Sequence, residues 1–209
     1  MKLLRSFAFA MVVALLASAA ASAQTYNVVT DFSLASNPNG AWSYGFTFMP
    51  GTPFILYNQS SSTCTPGLSI WGLQIDPCYF IPAVLQNTTG TTFCFATDCL
   101  PPDYLATSPG YNDQLNVVRW TAPTAGVWGI EGAAMGTDCV YPTTTDFHVS
   151  HNGHQLLTIV IDSCDIATSF NMRRTFAAGD TLDFTTDWGA DGNTYGDGTG
   201  FRATITFVP

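Results

Sequence analysis

Apolar and polar residues alternate along most of this chain, and helical spacing is almost absent beyond the first two dozen positions. In FRATITFV (201–208), Phe201, Ala203, Ile205 and Phe207 point one way, while Arg202, Thr204 and Thr206 point the other. That period of two belongs to a strand with one face on a core. QLNVVRWTAPTAGVWGIEGAAM predicts strands at 115–120 and 127–133 joined by a turn at 123–126. SFNMRRTFAAGDTLDFTTDW predicts two more around Ala178-Gly179-Asp180. The first ninety residues alternate less cleanly, with strands expected at 25–33, 43–48, 53–58, 68–75 and 80–86. The Thr-, Pro- and Cys-rich stretch 88–110 reads as a long stapled loop. Eight or more short strands with turn-rich connections predict an all-β fold, an antiparallel β-sandwich of jelly-roll type.

The amino terminus changes the boundaries of that fold. Lys2 and Arg5 precede an apolar run at 7–17 and an Ala21-Ser22-Ala23 cleavage signal, so 1–23 reads as an export signal. The run is too short for a membrane anchor, and 24–209 is expected as one exported β-sandwich domain. Without the signal, four arginines face fifteen carboxylates, a net charge of −11, and no lysine remains. Such a surface excludes nucleic acid and anionic lipid as partners, since both demand clustered cations. Neutral glycans and metal cations stay compatible with it.

Six cysteines in an exported chain predict three disulfides, here among Cys64, Cys78, Cys94, Cys99, Cys139 and Cys164. Chain neighbours suggest 64–78, 94–99 and 139–164. The last pair gains support from FHVSHNGHQL (147–156), where Asn152-Gly153 marks a two-residue hairpin turn. That turn sets His151 opposite His154 and Phe147 opposite Thr158, and makes Cys139 and Cys164 diagonal neighbours that a small bulge would join. It also sends His148 to the other face, so the three histidines cannot converge on one ion. His151 and His154 alone lack a third ligand.

No nucleophile elbow, metalloprotease helix or phosphate-binding glycine loop occurs. The single glutamate, Glu131, has no carboxylate partner that the spacing selects for glycosidase chemistry. Two features remain. DWGADGNTYGDGTG (187–200) spreads Asp187, Asp191, Asn193, Asp197 and Thr199 among glycines. Short oxygen side chains at such steps suit calcium, although the same residues also build Asx turns. Trp42, Tyr44, Trp71, Trp188 and Tyr195 sit in or beside predicted turns, where aromatic faces stack on sugar rings or else pack over a sandwich end.

VVRWTAPTAGVWGI, DFHVSHNGHQL, FAAGDTLDFTTDWG, YGDGTGFRATITF and the opening TDFSLASNPNGAWSYGF are similar to a domain of exported bacterial proteins, many of which carry PEP-CTERM-type sorting tails. This chain lacks the tail, and its cysteines are not part of the shared pattern. The order of turns also resembles jelly-roll carbohydrate-binding modules, a fold-level likeness that implies no particular sugar. The expectation is a secreted, non-catalytic domain binding a neutral glycan, with calcium as a structural ion. The alternative is a structural protein of the envelope or matrix without a small ligand.

Overall fold

The computed structural model describes residues 24–49, 52–141 and 143–209; the expected export signal, 1–23, lies outside them. One sheet has six strands. In spatial order they are β13 (His154–Ile161), β12 (Thr145–His151), β15 (Thr181–Thr186), β10 (Leu115–Thr121), β2 (Trp42–Thr47) and β3 (Ile55–Leu56). The other has eight. Seven run in the order β14 (Thr168–Phe176), β11 (Gly126–Gly136), β16 (Thr199–Val208), β9 (Leu105–Ser108), β6 (Tyr79–Asn87), β5 (Leu68–Asp76) and β4 (Gln59–Ser61). The eighth, β1 (Thr25–Asn27), pairs with β16 off that path. A separate hairpin joins β7 (Phe93–Phe95) and β8 (Asp98–Leu100). All strand pairings are antiparallel.

The turns after β10 and β14 do not close hairpins. Each carries the chain from one sheet to the other: β10 pairs β2 and β15, while β11 pairs β14 and β16. These crossings make the two sheets a jelly roll, the fold the alternation predicts. Between the sheets the core is largely aromatic. Trp120 lies edge-on to Trp128 at 4.9 Å and to Phe176 at 5.4 Å. Phe201 contacts Phe147 and Phe184 at 5.2 and 5.4 Å.

β5, β6 and β9 behave differently, because both of their faces are covered. Trp71, Val84 and Leu105 enter the core between the sheets. Their chain neighbours Ile70, Ala83 and Ala106 point to the opposite face, where Leu68, Leu100, Tyr104 and Met135 join them in a second cluster. Phe93 and Phe95 of the β7–β8 hairpin pack against it. The stretch expected as a loop at 88–110 therefore holds three strands, one of them in the main sheet.

All three disulfides follow the chain-neighbour pattern: Cys64–Cys78, Cys94–Cys99 and Cys139–Cys164. The 147–156 hairpin also forms, with Asn152 and Gly153 at φ +49° and +76° and His151 opposite His154. Its register departs from the expected one. A bulge between Val149 and Ser150 sets Phe147 opposite Ile159 and His148 opposite Thr158. Cys139 and Cys164 lie beyond the paired ladder, which begins at Thr145 and Ile161, so their disulfide closes the open end rather than joining diagonal neighbours.

Phe201 is fully buried among Phe147 and Phe184. Its replacement by alanine is expected to cost about 3–5 kcal/mol through lost transfer energy and a cavity. Chemical denaturation should show this as a lower midpoint with an unchanged slope.

Candidate functional site

A cavity of about 410 Å³ opens on the outer face of the eight-stranded sheet. Its floor is the second apolar cluster, through Leu68, Ile70, Leu85 and Ala106. Its walls are four connections: the β5–β6 turn, the β7–β8 hairpin, the segment after β11, and the loop leading into β16. Each disulfide holds one of the first three. Cys64–Cys78 ties down the β5–β6 turn, Cys94–Cys99 closes the hairpin, and Cys139–Cys164 anchors the segment after β11.

Of the eight tyrosines, four are exposed: Tyr79, Tyr111, Tyr141 and Tyr195. All four line this cavity. The Tyr79 and Tyr111 hydroxyls meet at 2.5 Å. Burial and that hydrogen bond push Tyr79 up to about 12, so it stays a neutral phenol at physiological pH.

Three carboxyl groups share the lining with them. Asp138 accepts from the Thr97 hydroxyl at 2.6 Å and from the backbone N–H groups of Val140 and Tyr141 at 2.8 and 3.0 Å. It is thus a fixed acceptor that also orients the Tyr141 segment. Asp98 accepts from the Thr137 hydroxyl at 2.7 Å, and burial raises its pKa, with Asp138 adding repulsion. Asp197 is only 1 % exposed. Its Oδ1 accepts from Thr144 Oγ1 at 3.3 Å, but its Oδ2 has no hydrogen-bond partner. Burial, followed by the charge of Asp191, pushes Asp197 up to about 7. The site thus combines aromatic faces with carboxyl oxygens that accept hydrogen bonds, on an apolar floor.

The structure redistributes the residues predicted for sugar stacking. Tyr195 lines the cavity at 75 % exposure. Trp42, Tyr44 and Trp71 do not serve, because all three are buried in the core with no ring face open to a ligand. The GAWSYG stretch is mostly strand β2, not a turn. Trp188 is half-buried at the head of a short 3-10 turn (Gly189–Asp191) and is not among the lining residues. Tyr79, Tyr111 and Tyr141 escape a reading based on turn signals. Two of them were marked by chain position: Tyr79 follows Cys78, and Tyr141 stands two residues after Cys139.

The five residues predicted for calcium do not converge. Asp187 Oδ2 turns to His148 Nε2 at 2.9 Å. Asp191 accepts from the Asn193 N–H, and Asn193 Oδ1 accepts from the Tyr195 N–H, so these two build consecutive Asx turns. Thr199 is wholly buried, its hydroxyl paired with that of Thr145 at 2.8 Å. Of the other four, Asp191 and, more weakly, Asp187 lie near enough for their charges to act on Asp197. The histidines separate as expected, His148 to Asp187 and His151 to Asp180. Glu131 is exposed in a shallow depression with Asp103, whose carboxylate is paired to Arg202 at 2.7 Å.

No protein-family model and no curated protein matches the chain. Among solved structures it is similar to the carbohydrate-binding module CBM51 from Clostridium perfringens GH95 in complex with methyl-galactose. That likeness has a TM-score of 0.38 and 12 % identity, covering 72 % of this chain and 94 % of that one. The C-terminal CBM6 of LamC, a marine laminarinase from Zobellia galactanivorans, gives 0.30 and 9 %, covering 73 % and 93 %. Rabbit GITRL gives 0.31 and 15 %, covering 44 % and 71 %. Values this low carry no argument about function.

Asp197 gives this site a pH dependence. Its pKa is raised on folding, so its contribution to stability is fully present below its ordinary 3.8 and is lost as pH rises to about 7. Asp197→Asn removes that loss. With chelator present, the variant's gain in melting temperature over the parent should be larger at pH 8 than at pH 5. A pH-independent difference would contradict the assignment.

Proposed function

We propose that this protein is a non-catalytic carbohydrate-binding domain that works outside the cell, and that its ligand is a neutral glycan seated in the tyrosine-lined cavity. The carrying observation is that every exposed tyrosine of the described chain borders this one cavity. Phenol rings present flat apolar faces to the C–H side of a sugar ring, while their hydroxyls reach its O–H groups. Asp98 and Asp138 add acceptors for sugar hydroxyls. Three disulfides hold the walls, which lowers the ordering cost of binding and fits an oxidising compartment. No helix among the described residues is long and apolar enough to cross a membrane.

Calcium enters this reading at Asp197 alone, as counter-charge for a buried carboxylate whose Oδ2 has no partner. Added calcium should then raise the melting temperature of the parent and leave that of Asp197→Asn unchanged.

A glycan array followed by calorimetry tests the main reading. Tyr195→Ala alters a side chain exposed enough to leave the fold intact. Loss of one stacking face should weaken binding at least about tenfold, or 1.4 kcal/mol. If no glycan binds, or if Tyr79→Ala and Tyr195→Ala together leave affinity unchanged, the cavity is not the site. If no glycan binds at all, the alternative of a structural protein of the envelope or matrix stands.

A further inference from the structure

A second cluster of polar side chains lies on the outer face of the six-stranded sheet, built from residues that the cavity does not use. Asp146 and His148 stand two residues apart in β12 and therefore project from one face, while Phe147 between them enters the core. β15 pairs with β12 so that Thr186 lies opposite Phe147, which brings the next residue, Asp187, alongside them. One donor atom from each of Asp146, His148 and Asp187 lies within 4.8 Å of the other two. All three are half-buried.

The surrounding contacts fix two of the donors. His148 Nδ1 meets Thr158 Oγ1 at 2.9 Å, leaving Nε2 toward Asp187 Oδ2 at 2.9 Å. Asp187 Oδ1 accepts from the N–H groups of Gly189 at 2.8 Å and Asp146 at 3.2 Å, which aims Oδ2 at the imidazole. The carboxylate of Asp146 makes no hydrogen bond to any described residue.

We propose that Asp146, His148 and Asp187 bind one divalent transition-metal ion of the zinc class, at a site separate from the glycan cavity. One imidazole nitrogen and two carboxylate oxygens form a borderline donor set suited to zinc and its neighbours, and three protein ligands leave a fourth position for water. A tetrahedral zinc with ligands at about 2.0–2.2 Å holds its donors about 3.3–3.6 Å apart. That spacing falls between the 2.9 Å of the His148–Asp187 contact and the 4.8 Å limit of the cluster. A neutral imidazole binds with no net change in protons: Nε2 gives up its hydrogen and Nδ1 carries one, donated to Thr158 Oγ1. That oxygen also accepts from Gln155 Nε2 at 2.8 Å, and a hydroxyl can accept twice. The Thr158 hydroxyl thus gives the second ring nitrogen an outer-shell acceptor. The ion would fasten β12 to the start of the segment that carries Tyr195 and Asp197.

The test is calorimetric titration of the metal-stripped, purified protein with zinc chloride in a non-coordinating buffer, with thermal melts alongside. The expected result is one zinc per chain and a higher melting temperature. Cobalt should substitute and give the visible spectrum of a tetrahedral nitrogen–oxygen site. His148→Ala should abolish the stoichiometric site, while the double variant His151→Ala, His154→Ala retains it. Thr158→Val should weaken it roughly ten- to hundredfold. Asp146→Asn removes a donor that no described residue leans on, so it serves where His148→Ala fails to fold; there too the site should be lost. Tyr195→Ala should leave zinc affinity unchanged, which keeps this result independent of glycan binding. The proposal is overturned by the absence of stoichiometric binding, by retention of zinc in folded Asp146→Asn or His148→Ala, or by its loss in the His151, His154 double variant.

Discussion

Burial of apolar side chains on both faces of β5, β6 and β9 is the constraint on which the rest of this molecule depends. A sandwich needs to cover only the inner face of each sheet, and many outward positions on the other strands, such as Arg119, Asp183, Arg202 and Thr204, are polar. Here Ile70, Ala83 and Ala106 point outward and are still buried, because the β7–β8 hairpin lies across them. Covering that outer face requires extra chain, and the extra chain forms walls around an apolar floor. The cavity is therefore a by-product of how the sheet is closed over. The disulfides sit in the connections that form these walls, where short strands and turns have little core of their own.

The same constraint explains how much of the fold was legible in the sequence. β16 reads plainly because Phe201, Ala203 and Ile205 are inside while Arg202 is exposed. SIWGL and FIPAVL do not alternate, since neighbours such as Ile70 and Trp71 are both buried, on opposite sides. Periodicity carries no information where both faces are apolar. The Asn152-Gly153 turn was legible from its need for positive φ, but the bulge at Val149 and Ser150 leaves no mark in composition. Cysteine proximity gave the disulfides, and the lengths of the intervening segments made those pairings geometrically simple.

The site was less legible because residue type does not reveal direction. Trp42, Tyr44 and Trp71 differ from Tyr79, Tyr111 and Tyr141 chiefly in facing inward, and that follows from strand register and not from neighbouring glycines. Asp187 illustrates the same limit. Its chain neighbours suggested a loop of oxygen ligands, whereas its spatial neighbours are His148 and Asp146 from a strand some forty positions earlier. Sheet pairing brought these three together, and only the pairing of β12 with β15 makes the grouping visible.

The pairing of the first strand with the last has a mechanical consequence. Thr25 lies opposite Thr206 and Asn27 opposite Thr204, with Phe207 N–H donating to Gln24 O at 2.8 Å. The two ends of the described residues therefore emerge side by side from the same end of this strand pair. Tension applied through them loads the β1–β16 hydrogen bonds one after another, in the manner of a zip, and not all together in shear. Short β1 would peel away at low force, while the cavity, walled by its three disulfide-held connections, stays closed.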